Sequence, residues 1–296
     1  MSAGGTEGLH EKAKGLDIMV PRDVLSLLSS GQQEAAQTVN AAHDAIAAAS
    51  ALAADAIAAG YKLVYAGAGS SGLMAMADAL ELPGTYGIDR EQIAILFAGG
   101  ASNLSDMPGA PEDDVEQAKV DAAIIGAGDC VVAITASGST PYALAVVEAA
   151  SINGAKIVAV ANNENAKIFD VADVAILLRT PPEFVSGSTR MGAGTAQKIA
   201  LNMFSTLMAI RLGHVHDGYM VNLRADNKKL VERAARIVSG VTGVDINEAG
   251  RLVEKASGSV KIAILLAAGA KTKNSAENIL ETSGYNVRRA LQMISE

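Results

Sequence analysis

Short apolar runs rich in β-branched residues recur along the first two thirds of the chain, at Lys62 to Ala66, Gln92 to Phe97, Asp129 to Thr135, Lys156 to Ala161 and Val174 to Leu178. Stretches with helical spacing separate them, so five strands alternating with helices are predicted. The runs are apolar at successive positions, which marks a parallel sheet covered on both faces. The predicted fold class is α/β, a three-layer αβα sandwich. Before the first strand, Pro21 to Gly60 carries apolar positions at helical spacing and ends at a glycine stop, which predicts one short and one long helix. Arg190 to Leu212 has helix formers, no proline and apolar side chains on most faces, as in a helix buried in a core or a subunit interface. From about Asn227 the chain reads as amphipathic helices punctuated by Gly240, Gly243, Gly250 and Gly258. The predicted organisation is a helical lead-in over 1–60, a sheet domain over 61–224 and a small C-terminal helical domain over 225–296.

Composition narrows the function classes. With 296 residues, half of them hydrophobic, the chain can bury a substantial core. Its 24 basic residues against 32 acidic ones, and aromatics at only 3%, leave no basic, aromatic-interleaved surface, so nucleic acid is not an expected partner. The Ala-rich segment Ala45 to Gly60 is interrupted by Asp55 and shorter than the roughly 18 residues of a membrane span, so it is read as a packed helix and no membrane partner is expected. Cys130, the single cysteine, lies in the apolar run Cys130 to Ile134 and reads as a small buried hydrophobe. With no disulfide available and no apolar core in the first 17 residues, a cytoplasmic location is expected.

Two turns carry the candidate chemistry. The first strand runs into Ala66-Gly67-Ala68-Gly69-Ser70-Ser71-Gly72 and then a helix. A Gly/Ser-rich loop at a helix N-terminus binds anions through backbone N–H groups and the positive end of the helix dipole. The spacing of Gly67, Gly69 and Gly72 fits G-x-G-x-x-G, but the second strand ends in Leu96-Phe97-Ala98-Gly99-Gly100 and lacks the carboxylate that would hold a dinucleotide ribose. No Gly-Lys-Ser/Thr follows, which removes the nucleotide P-loop. The third strand ends in Thr135-Ala136-Ser137-Gly138-Ser139-Thr140-Pro141, a second hydroxyl-rich turn entering a helix. Both turns fall at the C-terminal ends of parallel strands, where open α/β sheets bind ligands, so Gly69, Ser70, Ser71, Ser137, Ser139 and Thr140 are the predicted phosphate-binding residues. Of the histidines, His10 falls in the N-terminal tail, His43 on a helix, and His214 and His216 lack partners that would complete a metal site, so no metal is predicted.

In these turns the chain resembles the sugar isomerase (SIS) domain family, which binds phosphosugars through such Ser/Thr loops, and within it the N-acetylmuramic acid 6-phosphate etherases. The most specific segment is Gly187-Ser188-Thr189-Arg190-Met191-Gly192-Ala193-Gly194-Thr195-Ala196-Gln197-Lys198. Asp78 to Gly87, Ala98-Gly99-Gly100, Glu112-Asp113, Pro182-Glu183, Gly218 to Val221 and Asn227 to Leu230 are also similar. The resemblance implies a SIS-type sheet, a phosphorylated amino sugar as ligand, a homodimer, and lyase activity without cofactor. It places the acid that protonates the departing lactate oxygen at Glu81 and the base that removes the sugar C2 proton at Glu112. It also implies that Glu183, Ser188, Thr189, Arg190 and Lys198 contact substrate, with the cap of a turn as the alternative role for Glu183.

Two carboxyl groups suit that chemistry. With the ring open, C2 lies beside an aldehyde and its proton becomes removable; one carboxylate takes the proton and a second carboxyl protonates the leaving oxygen. Such a pair must hold opposite protonation states. Taken alone, Glu81 reads as a solvated helix-end residue and Glu112 as an acid at a helix start. Compared with the etherases, the chain has Ser139 in place of an Arg and Gly192 in place of a Lys, Asn163 for a Pro, Gly109 for a Glu and Pro83-Gly84 for two prolines. Two alternatives stay open: a regulator that binds sugar phosphate without turnover, and an aldose–ketose phosphosugar isomerase.

Overall fold

The computed structural model describes residues 5–100, 104–223 and 228–295. Asn227, part of one family-like segment, and the junction at 224/225 lie outside the described residues. Two compact units emerge, one of residues 1–80 with 91–205 and one of residues 81–90 with 206–296. This division differs from the boundaries drawn at 60/61 and 224/225. Residues 1–60 belong with the sheet, and residues 81–90 and 206–224 with the C-terminal helices.

The first unit is built on a five-stranded parallel sheet of β1 (Leu63–Gly67), β2 (Ile93–Phe97), β3 (Cys130–Ile134), β4 (Lys156–Ala161) and β5 (Val174–Leu177), in the order β2-β1-β3-β4-β5. All five coincide with the predicted runs to within a residue or two. The α-helices are α1 (Pro21–Thr38), α2 (His43–Ala58), α3 (Gly69–Tyr86), α4 (Val115–Asp121), α5 (Pro141–Ile152) and α6 (Gly192–Arg211), the division between units falling inside α3 and α6. The side chains of Val64, Ala66, Val131, Ala133, Ile157 and Ala159 bury one sheet face with Ala118 of α4 and Tyr142, Val146 and Val147 of α5. On the opposite face, the Tyr65 hydroxyl donates to Asp78 of α3 at 2.7 Å, and Ser50 of α2 donates to the Phe204 carbonyl of α6 at 2.9 Å. Three layers result. Cys130 is buried and free, and burial pushes its thiol up to about 12.

The helical stretch Pro21–Ala58 is long and apolar enough to cross a membrane. In this fold Ile46, Ala49, Ala53 and Ile57 of α2 are buried, so α2 is a core helix of the sandwich. The strand order places the switch point between β1 and β3, whose registers align Gly67 with Ile134. The two hydroxyl-rich turns therefore leave neighbouring strands, about 5 Å apart.

The second unit contains a short hairpin, β6 (Val215–His216) and β7 (Tyr219–Met220), that the sequence reading missed. It also contains α7 (Lys228–Thr242), α8 (Ile246–Lys255), α9 (Val260–Ala267), α10 (Lys273–Thr282) and α11 (Val287–Ser295). Its core gathers Val238, Val253, Ile264, Leu265, Leu280 and Val287 around α9.

Candidate active site

At the first turn Gly69 adopts a left-handed φ of +52°, and α3 starts there. A Cβ at this residue would lie 2.6 Å from Glu112 Oε1. The absence of a side chain is thus what lets the Glu112 carboxylate rest on the first residue of the helix. Glu112 sits in a short 3-10 turn, Ala110–Asp113, with its N–H donating to the Gly109 carbonyl at 3.0 Å. Burial raises its carboxyl above the usual glutamate range, with the Asp113 charge adding to the effect. Its carboxylate accepts no hydrogen bond among the described residues. A half-buried carboxylate that is raised and unengaged suits a base at the mouth of an anion-binding turn.

At the second turn the hydroxyls are wired to one another. Thr135 and Thr140 share a hydrogen bond of 2.7 Å, and Thr135 Oγ1 lies 3.4 Å from Ser137 Oγ. Ser139 donates both its N–H, at 3.2 Å, and its hydroxyl, at 3.3 Å, to Ser137 Oγ. Gly138 has a φ of +77°, and a Cβ there would run into Ala166, so only glycine passes the chain through this bend. Pro141 then opens α5 with Thr140 at its N-cap. Two helix N-termini, those of α3 and α5, thus start beside the switch point.

The other predicted residues divide. Ser71 is buried and Ser70 half-buried in the first turn of α3. Glu183 is 5% exposed, and both carboxylate oxygens accept from the N-terminus of α6, Oε2 from Gly192 N at 3.0 Å and Oε1 from Ala193 N at 2.9 Å. Its place is that of a helix cap. The same contact bears on Gly192, where a Cβ would meet Ala35 and Glu183 at 3.2 Å, closer than most side chains tolerate. Ser188 and Thr189 form the half-buried turn before α6, and the Thr189 carbonyl accepts from Gly194 N at 2.8 Å. Arg190 is exposed. Lys198 is exposed and donates to Asn202 Oδ1 at 2.7 Å, while Asn202 donates to Asp78 at 3.0 Å. Asp78 also accepts from Ser205 at 2.9 Å; burial raises its carboxyl, and these donors and the Lys198 charge act against the rise. This network around Asp78 was not foreseen from the sequence.

Glu81 is exposed on α3, twelve residues beyond Gly69. Glu81 falls in the stretch of α3 that belongs with the second unit. A further missed element is the N-terminal segment, read above as a tail. Thr6 is 2% exposed; its N–H donates to Asn163 Oδ1 at 3.0 Å, and Asn163 Nδ2 donates to Thr6 Oγ1 and to the Ser137 carbonyl, each at 3.2 Å. Ser186 donates to the Glu7 carbonyl at 3.2 Å, and His10 stacks on Phe184 with ring centroids 3.8 Å apart. The segment therefore clips the second turn to the loop before α6.

A parallel sheet in this order, with hydroxyl-rich turns and helix N-termini at its switch point, defines a SIS-type phosphosugar-binding fold, and residues 27–162 match the SIS domain family. A solved structure from Bacteroides fragilis NCTC 9343, of a candidate phosphosugar isomerase involved in capsule formation, shares the fold. Its TM-score is 0.51 at 22% identity, covering 67% of this chain and 94% of that one. The chain is 38% identical over 289 residues to N-acetylmuramic acid 6-phosphate etherase of Geobacillus thermodenitrificans strain NG80-2, covering 97% of this chain and 98% of the relative. The Deinococcus radiodurans protein of the same name is also 38% identical, covering 97% and 94%. The chain belongs to the N-acetylmuramic acid 6-phosphate etherase family.

Proposed function

We propose that this protein cleaves the C3 lactyl ether of N-acetylmuramic acid 6-phosphate, giving N-acetylglucosamine 6-phosphate and D-lactate, in the recycling of cell-wall amino sugars in the cytoplasm. The observation that carries the reading is the Glu112 carboxylate resting on Gly69, raised by burial and accepting no hydrogen bond among the described residues. The phosphate is held by the hydroxyls and N–H groups of Ser70, Ser71, Ser137, Ser139 and Thr140. Glu112 takes the C2 proton of the open-chain sugar; the electron pair forms the C2–C3 double bond and the C3–O bond breaks. Glu81 protonates the departing oxygen, and water adds across the double bond, its oxygen to C3 and a proton to C2. This sequence calls on no metal or redox cofactor.

In line with the homodimer that the resemblance implies, the working form shares each site, the Glu81 of one copy serving the Glu112 of the other. In deuterated water, Glu81→Gln retains exchange of the C2 proton and loses lactate release, whereas Glu112→Gln loses both. Wild-type exchange rates in Glu112→Gln would remove Glu112 as the base. Mixing the two inactive variants restores up to about a quarter of the wild-type rate, because random reassortment creates sites with both carboxyls intact. No recovery after subunit exchange would place both glutamates in one chain.

A further inference from the structure

The second unit holds a cavity of about 1220 Å³ bordered by residues 83–90, the segment after β7, the turn before α9, and α9 and α10. Arg90, Lys261 and Lys273 line it against Asp89, Glu277 and Glu281, and Ile88, Leu223 and Ile262 give it apolar wall. Lys261 stands apart from the other charges. It is 4% exposed, and its ammonium donates to the Tyr285 carbonyl at 3.0 Å, leaving two of its three N–H donors without an acceptor among the described residues. No described carboxylate forms an ion pair with it, whereas Lys273 pairs with Glu277 at 3.8 Å. Tyr285, which turns its carbonyl to Lys261, has a left-handed φ of 60°, a conformation costly for a bulky residue and found where surroundings impose it. A buried cation with no counter-ion is unfavourable unless an anion completes it.

We propose that this cavity is a carboxylate site in which Lys261 holds a small monoanionic hydroxy acid. Resting on the etherase reading, the ligand is the D-lactate that the reaction sets free. Two observations favour a monocarboxylate over a phosphate. With Lys261 counted, the lining carries three basic against three acidic side chains, so a dianion would leave the cavity with twice the excess negative charge that a monoanion leaves. The apolar wall, moreover, suits a methyl-bearing acid better than a phosphate.

The test follows the Lys261 side-chain resonance in protein carrying ¹³C-labelled lysine, assigned by its loss in Lys261→Met. D-lactate is expected to displace this signal saturably and raise its titration midpoint, while inorganic phosphate leaves it in place. Calorimetry is expected to show roughly tenfold or greater loss of D-lactate affinity in Lys261→Met, as for one charge-assisted contact. A signal unmoved by D-lactate up to the solubility of the salt, or moved equally by phosphate, overturns the proposal. Should Lys261→Met fail to fold, the wild-type titration decides alone. Because the probe is lactate itself, this result is separable from the etherase reading, which stands or falls on lactate release from N-acetylmuramic acid 6-phosphate.

Discussion

A ligand site built on an uncompensated buried lysine weakens the fold that carries it, and the size of that penalty follows from the Lys261 titration. Burial lowers this ammonium from 10.5 to about 8. The difference, at about 1.4 kcal/mol per pH unit, corresponds to about 3 kcal/mol. The sign follows from proton counts. Between pH 8 and 10.5 the unfolded chain holds a proton on this residue that the folded chain has lost, so stability rises with pH across that window. Below pH 8 the full penalty is present; above 10.5 it vanishes. Lys261→Met removes the charge and keeps much of the stem's volume. It also strips the Tyr285 carbonyl of its donor, at a cost of about 1 kcal/mol. The variant should therefore be more stable than wild type by about 1–2 kcal/mol at pH 7 and slightly less stable above pH 10.5. Denaturant unfolding of the full chain at both pH values gives the two differences. A variant less stable at pH 7, or a difference that does not change with pH, refutes the reasoning. His214 supplies an internal check. Burial, and then the Lys261 charge, lower it to about 4, so it is neutral in the fold, and its contribution is lost as pH falls from 6.5 through 4. Removing Lys261 should raise the His214 midpoint, read by NMR, and soften the acid limb.

Two further outcomes test the first unit. Asn163→Ala removes three hydrogen bonds that clip Thr6 and the Ser137 carbonyl together, so tryptic cleavage at the exposed Lys12 and Lys14 should accelerate several-fold and sugar-phosphate affinity should fall; an unchanged cleavage rate would mean that the clip does not hold the segment. Replacing Ser137 and Thr140 together by Ala should weaken binding of N-acetylglucosamine 6-phosphate by roughly 0.5–3 kcal/mol per lost bond, measured by calorimetry, and unchanged affinity would move the phosphate elsewhere.

The sheet was legible because its signal is local. Each strand is a continuous apolar run between turn residues, and successive burial in a covered sheet leaves that pattern in the composition of the run itself. The two hydroxyl-rich turns were legible for the same reason, since a glycine with positive φ and a hydroxyl-rich helix start are adjacent in sequence. What could not be read were contacts made across long separations. Thr6 and Asn163 are 157 residues apart, and nothing in Gly5-Thr6-Glu7 distinguishes a docked strap from a loose tail. Asp78 stood in a family-like segment, yet its partners Tyr65, Asn202 and Ser205 lie on other elements. Glu183 was read as a substrate contact or the cap of a turn, and only the fold shows that its carboxylate accepts from the first N–H groups of α6. Lys261 did leave a local trace, a single cation in the apolar run Val260 to Ala267, but a lone charge in such a run does not say whether it snorkels outward or stays inside.

The absence of two expected cations is also easier to understand with the turns in place. Ser139 and Gly192 stand where the etherases were expected to carry Arg and Lys, which at first reading weakens the case for holding a phosphate dianion. At the switch point, however, α3 and α5 each begin in a hydroxyl-rich turn, and each N-terminus carries about half a positive charge together with N–H groups that have no intrahelical acceptor. Ser139 directs its N–H and hydroxyl to Ser137 Oγ, so the turn is held in shape by its own hydroxyls rather than by a long cationic side chain. Gly192 serves a different end, since a Cβ there would press on Ala35 and Glu183 at 3.2 Å, and the cap that starts α6 depends on that close approach. In the proposed site the charge complement of the phosphate resides in backbone groups, which do not need to be ordered when the ligand arrives, and the loss of flexible cations costs less than their formal charge suggests.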